Sequence, residues 1–410
     1  MDDMRERWCQ ELNFKLEKLE EWVQAGGRAR EGGCSDRQAM DPTPKVALIA
    51  GVTGIVGNSL AAQLHDPNAP GGPWKVYGVA RRATKPDRLA EPLHYISCNL
   101  LDRDETLSKL SPLHDVTHLF YVTWVSRPTE EENCEANGAL YRNVLDAILP
   151  NAKNFQHIVL QTGNKHYIGP FALAGKIPVP DPPFREDYPR RPCPNFYHTL
   201  EDITFETVKQ RQQQLTYSIH RPTAIFGFAE GNLMNMVGTL AVYAAICQYE
   251  NKPLIFPGSK MCWDFMQDAS DADLVAEQEI WAASVADPKA KNEAFNSNNG
   301  DVFKWKRLWQ LLAQEYNVQP EYKGEPFSLQ EAMKGKDAVW DKIVKEKGLR
   351  PGLKLEDVAQ WWFVDLWLGQ NIENVSSMNK SRERGFLGWR DSEKSFLSVI
   401  HKSRKHKVVP

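Results

Sequence analysis

Apolar positions along the chain change their period twice. Trp8, Leu12, Leu16, Leu19 and Val23 fall at the three-to-four spacing of one helix face, and the glycine-rich run after them reads as a linker ending near residue 44. From Lys45 the period shortens. The runs "KVALIA", "WKVYGVARR", "LHYISCNL", "THLFYVTW", "QHIVLQTG" and "LTYSIHRPTAIFG" read as buried strands. Between them "GVTGIVGNSLAAQL", "ANGALYRNVLDAIL" and the stretch after Tyr197 read as helices. Strand and helix in alternation predict right-handed crossovers and a doubly wound α/β fold, a mostly parallel sheet with helices on both faces.

After about residue 228 helical patterns dominate, in "MVGTLAVYAAICQYE", "DADLVAEQEIWAAS", "WKRLWQLLAQEY" and "EDVAQWWFVDLWL". The expected organisation is an N-terminal helix and linker over 1–44, a nucleotide-binding domain over 45–227, and a smaller substrate lobe over 228–410 with elements returning to the core. Residues 167–194 carry many prolines and no period, and so long a loop inside a domain is more often functional than idle. The N-terminal stripe reads first as a helix resting on the domain; self-association through it, and with it a homodimer, stays open.

Composition narrows the setting. With 50 basic and 53 acidic residues the formal net charge is −3, which leaves no basic stripe for a nucleic-acid partner. Seven scattered cysteines without a C-x-x-C pair argue against a disulfide framework and a zinc site, hence for a reducing compartment. No run of about eighteen apolar residues occurs, so no membrane span is expected and the cytoplasm is the default location.

The strongest chemical signal is "GVTGIVG", directly after a strand and directly into a helix. Gly51, Gly54 and Gly57, with Thr53, Ile55 and Val56 between and beside them, form a turn whose backbone can approach a pyrophosphate at a helix N-terminus. This makes the predicted fold Rossmann-type. At the end of the second strand an NAD site would place a carboxylate; here stand Arg81 and Arg82, whose guanidiniums suit a 2′-phosphate, so NADPH is the expected cofactor. Ligands of such sheets lie beyond the strand ends, which adds Asn99, Leu100, Thr123 and Trp124, and less strongly Gln161, Ile225, Asn232, Leu233 and Met234. His166 and His198 read as structural, and no third ligand points to a metal.

In "CPNFYHTLED", Tyr197 begins a helix, yet four residues on, where the short-chain dehydrogenase pattern has lysine, stands Glu201. The motifs "GVTGIVG", "GGPWKVYGVARR", "LQTGNKHYIGPF", "PNFYHTLED" and "SSMNKSRERGFLG" resemble the progesterone 5β-reductase and iridoid synthase family of plants, within the extended short-chain dehydrogenase/reductase superfamily. The resemblance runs from about Lys45 to the C-terminus. It implies reduction, with NADPH, of the carbon–carbon double bond of an α,β-unsaturated carbonyl by hydride addition at the β-carbon. 8-Oxogeranial, progesterone-like steroids and small enones are the implied substrates. It also implies that Tyr197 and Lys165 form the catalytic pair and touch cofactor and substrate, with Phe171 and Phe363 flanking the substrate. Trp361 and Trp362 are alternatives for that last role. Two other readings are a carbonyl reductase or hydroxysteroid dehydrogenase, which Glu201 disfavours, and an NADPH-sensing protein, which retention of Lys165 and Tyr197 disfavours.

Overall fold

The computed structural model describes residues 44–410 except 87, 88, 90, 91, 174, 175, 212, 213 and 286. The amphipathic helix expected around Trp8 to Val23 lies outside them. Six strands follow in chain order: β1 (Lys45–Ala50), β2 (Trp74–Ala80), β3 (His94–Ser97), β4 (His118–Tyr121), β5 (His157–Gln161) and β6 (Thr216–Pro222). Two-residue pairs come next, β7 (Ile225–Phe226) with β9 (Ser270–Asp271) and β8 (Leu254–Ile255) with β11 (Pro320–Glu321). β10 (Glu293–Ser297) closes the main sheet, whose order β10-β6-β5-β4-β1-β2-β3 is parallel throughout.

Period-two alternation explains how one short strand serves two layers. Val46, Leu48 and Ala50 of β1 enter one apolar core, while Ala47 and Ile49 enter another. On the first face lie α2 (Arg103–Leu110), α3 (Glu130–Ile148) and α5 (Phe196–Gln210); on the second lie α1 (Ile55–Leu64) and α8 (Ala272–Ser284). The single-turn α4 (Lys165–Ile168) follows β5. Both α8 and β10 arise after residue 228, so the helix-rich half also contributes to the sheet layer.

The remaining apolar core gathers around α6 (Met236–Tyr249), whose residues 236–247 are all buried. Such a helix, apolar all round, needs cover on every side. Trp305–Glu315, Trp361–Leu368 and Ser392–Lys405 supply it, with α7 (Lys260–Asp264) at the rim. Among the described residues no helix is long and apolar enough to cross a membrane, and no group of three His, Cys, Asp or Glu side chains gathers as metal ligands do.

Candidate active site

β1 delivers the chain to Gly51, whose φ of +101° favours glycine. Its N–H donates to Val79 O at 2.9 Å, and Gly54 N–H donates back to Gly51 O at 2.9 Å. Gly54 then caps α1 with extended backbone and no side-chain cap, leaving the first-turn N–H groups without helical partners at the cleft wall, where Ile55 and Val56 stand. Gly57 differs from expectation. It does not line the cleft; a Cβ there would stand 2.1 Å from Gly51 O, so the third glycine serves the packing of α1 onto the turn.

One stretch of the cleft runs along Gly51, Thr53 and Gly54 to Arg81 and Arg82, with Asn99 and Leu100 after β3 and Leu233 opposite. Arg82 is not wholly available to a ligand. Its Nη2 donates to Glu230 O at 2.7 Å, and the Glu230 carboxylate receives Arg350 Nη1 at 2.8 Å, so the arginine ties β2's end to the loop across the cleft. The second stretch shares Gly54, Thr123, Trp124 and Asn232 with the first and continues past Gln161, Ile225 and Met234 to Lys165 and Tyr197. Gln161 Oε1 is buried in this wall with no hydrogen-bond partner, an acceptor for a ligand to satisfy. An anion-binding turn, cations at the second strand's end and an unsatisfied amide farther in together fit a dinucleotide.

Lys165 and Tyr197 come together from different elements. Asn195 caps α5, accepting from Tyr197 N–H at 3.1 Å, and the same side chain donates from Nδ2 to Lys165 O at 2.9 Å. One amide thus fixes α4 to the start of α5. The Lys165 ammonium, 3% exposed, lies 4.3 Å from the centroid of the Phe196 ring, 4.9 Å from that of Phe171 and 5.1 Å from that of Tyr197. Its charged partner is Glu130, at 3.4 Å, on the first turn of α3; that carboxylate also accepts Phe196 N–H at 2.9 Å. Burial pulls the Lys165 ammonium below the ordinary lysine range, and Glu130 opposes that pull. Tyr197 is pushed the other way, above the usual phenol range, first by burial and then by the same carboxylate. Its hydroxyl rests over Gly163, where a Cβ would stand 3.2 Å from it.

Aromatic rings close the inner end. Phe171 meets Phe363 edge to face at 6.4 Å, Trp124 stacks on Phe196 at 5.8 Å, and Trp367 completes the lining. Of the expected alternatives, Trp362 packs edge to face on Phe171 at 6.5 Å, behind the lining, while Phe363 and, one helical turn on, Trp367 face the cleft and Trp361 does not. Glu201 does not face the cleft either. Buried, it accepts from Arg190 Nη2 at 2.9 Å and Arg221 Nη2 at 3.1 Å. Burial alone would raise its carboxyl; Arg221, His166 and Arg190 together hold it below the ordinary range.

Residues 100–410 match the PRISE-like Rossmann-fold domain family. The (S)-8-oxocitronellyl enol synthase of Camptotheca acuminata is 54% identical, over 95% of this chain and 99% of that protein. The chain belongs to the PRISE-like family. The 3-oxo-Δ(4,5)-steroid 5β-reductase of Arabidopsis thaliana is similar to it to the same degree, 54% identical over 95% of this chain and 99% of its own. Among solved structures, the UDP-glucose 4-epimerase of Thermotoga maritima superposes with a TM-score of 0.60 at 15% identity, over 88% of this chain and 99% of that one, a likeness of fold. In this PRISE-like chain, sequence reasoning missed Glu130, Gly163, Asn195, Phe196 and Trp367. Only the acidic first turn "EEE" after a capping threonine marked Glu130, and it reads as helix-dipole chemistry alone.

Proposed function

We propose that the protein is an NADPH-dependent 1,4-reductase of α,β-unsaturated carbonyl compounds. The single observation that carries the reading is the convergence of Lys165 and Tyr197, from separate elements, at the aromatic end of a cleft that begins at the glycine turn. Held along the cleft from Gly51 and Gly54 to Lys165 and Tyr197, a reduced nicotinamide cofactor would supply hydride for the substrate's β-carbon. The substrate's π electrons then shift toward the carbonyl carbon, and negative charge collects on the carbonyl oxygen.

Tyr197 meets that charge. As a neutral phenol it donates a hydrogen bond to the oxygen, an interaction stronger in the transition state than in the ground state. Lys165 adds a positive field from a water-poor site, where Coulombic effects are strongest. Phe171, Phe363 and Trp367 exclude water and hold the flat conjugated system against the cofactor. Arg81 and Arg82 favour the 2′-phosphate, which selects NADPH over NADH. The names of the similar proteins point to an 8-oxocitronellyl enol as product and to 3-oxo-Δ4 steroids as substrates, and the family resemblance adds 8-oxogeranial to the first substrates to try.

The test is incubation with NADPH or NADH and, separately, 8-oxogeranial, progesterone and 2-cyclohexen-1-one, with products resolved by chiral chromatography. Saturated carbonyl or enol products with preference for NADPH support the reading. Allylic alcohols, or no consumption of any substrate, overturn it.

A further inference from the structure

The Lys165 ammonium is nearly sealed from water, yet among its close contacts only Glu130 carries full charge. The titratable groups facing it are Glu130 and Cys134 from α3, Cys193 from the proline-rich segment and Tyr197 from α5. Three aromatic faces offset part of the cation's lost hydration. They supply no charge, and an uncompensated buried ammonium loses its proton instead.

We propose that Glu130 is the positioning residue of this site: its carboxylate ties the Lys165 ammonium into the aromatic cage and keeps it a cation while enolate charge develops at the Tyr197 hydroxyl. The inference rests on the enone-reductase reading above. Glu130 sits where it can do this because Thr129 and Glu132 form a capping box that fixes the first turn of α3. The same Glu130 oxygen that faces Lys165 also receives the Phe196 N–H. One carboxylate therefore sets the lysine's place, its charge and the start of the tyrosine's helix. The residue touches no substrate in this scheme; it acts through Lys165.

Glu130→Gln keeps an oxygen for the Phe196 N–H and removes the charge. Removing an anion lowers a neighbouring ammonium's pKa, so the alkaline limb of the kcat profile should move down by about one pH unit or more. The lysine ε-carbon chemical shift, titrated in isotopically labelled protein without cofactor, should report the same displacement for Lys165. Glu130→Asp, which withdraws the carboxylate by one methylene, should move both in the same direction by less. In a Lys165→Met background any displacement that remains reports the direct pull of Glu130 on the Tyr197 phenol, and it should be the smaller part of the shift seen with Lys165 present. An active wild type whose Gln and Asp variants keep its alkaline limb and its lysine titration overturns the inference and leaves the enone-reductase reading intact. A wild type inactive on every enone strikes that reading first, and the titration of Lys165 then still decides the role of Glu130.

Discussion

Replacing Tyr197 by Phe removes one oxygen atom from the cleft and little else. The Tyr197 hydroxyl makes no hydrogen bond among the described residues, while its ring packs edge to face on Phe196 at 4.5 Å and lies 5.1 Å from the Lys165 ammonium. Phenylalanine keeps both contacts, and no partner is left unsatisfied, so stability should change by less than about 1 kcal/mol. Catalysis should not be spared. Loss of one donor aimed at a developing oxyanion costs roughly a hundred- to a thousandfold in kcat, about 2.7–4 kcal/mol of transition-state stabilisation. The assay is steady-state reduction of 2-cyclohexen-1-one at saturating NADPH, alongside fluorescence titration of NADPH and a thermal melt. We expect kcat to collapse while the cofactor Kd and Tm hold. A kcat within about threefold of wild type would refute the assignment of the phenol as oxyanion donor.

Gly163→Ala places a Cβ 3.2 Å from Pro222 O, which belongs to a strand and cannot retreat, and as close to the Tyr197 hydroxyl, which can. The phenol should shift by a few tenths of an ångström and kcat fall about tenfold or more with NADPH affinity unchanged; unaltered kinetics would contradict this. Glu201→Lys, which restores the lysine that follows the tyrosine by four residues in carbonyl reductases, should unfold the protein instead of converting it, because the new cation would lie between Arg190 and Arg221. Circular dichroism checks that, and a folded variant with carbonyl-reducing activity would sink it. Acid should destabilise the fold well above the carboxylate range. Burial lowers His118 to about 3 and His166, His198 and His220 to about 4, so the native state binds fewer protons than the unfolded chain, whose histidines titrate near 6.5. Their contribution is full above about pH 6.5 and is lost as pH falls toward 4; Tm should drop across that window, and His220→Asn should flatten the slope.

The sheet was legible because parallel strands buried on both faces are written as continuous apolar runs, and the glycine turn because its backbone tolerates little else. Lys165 was legible only through family likeness: nothing local distinguishes a lysine sealed among rings from one in solvent. Glu130 was illegible for a related reason, since it meets Lys165 across 35 residues and the Phe196 N–H across 66. Gly57 was placed at the ligand because its motif neighbours are, and Trp367 was missed because it stands one helical turn beyond Phe363. Helix geometry turns one glycine into its neighbour's packing space and leaves Trp362 behind Phe171 and Phe363 instead of in front of them.

The Asn195 bridge bears on how portable this chemistry is. Where tyrosine and lysine sit one turn apart on a single helix, the pair can be transplanted as a short continuous peptide. Here the lysine's backbone is pinned by the cap of the tyrosine's helix, and its charge is answered from a third segment. A graft into another scaffold must therefore carry three discontinuous pieces in register, and a redesign that exchanges the "NFY" segment alone would leave its lysine without an anchor.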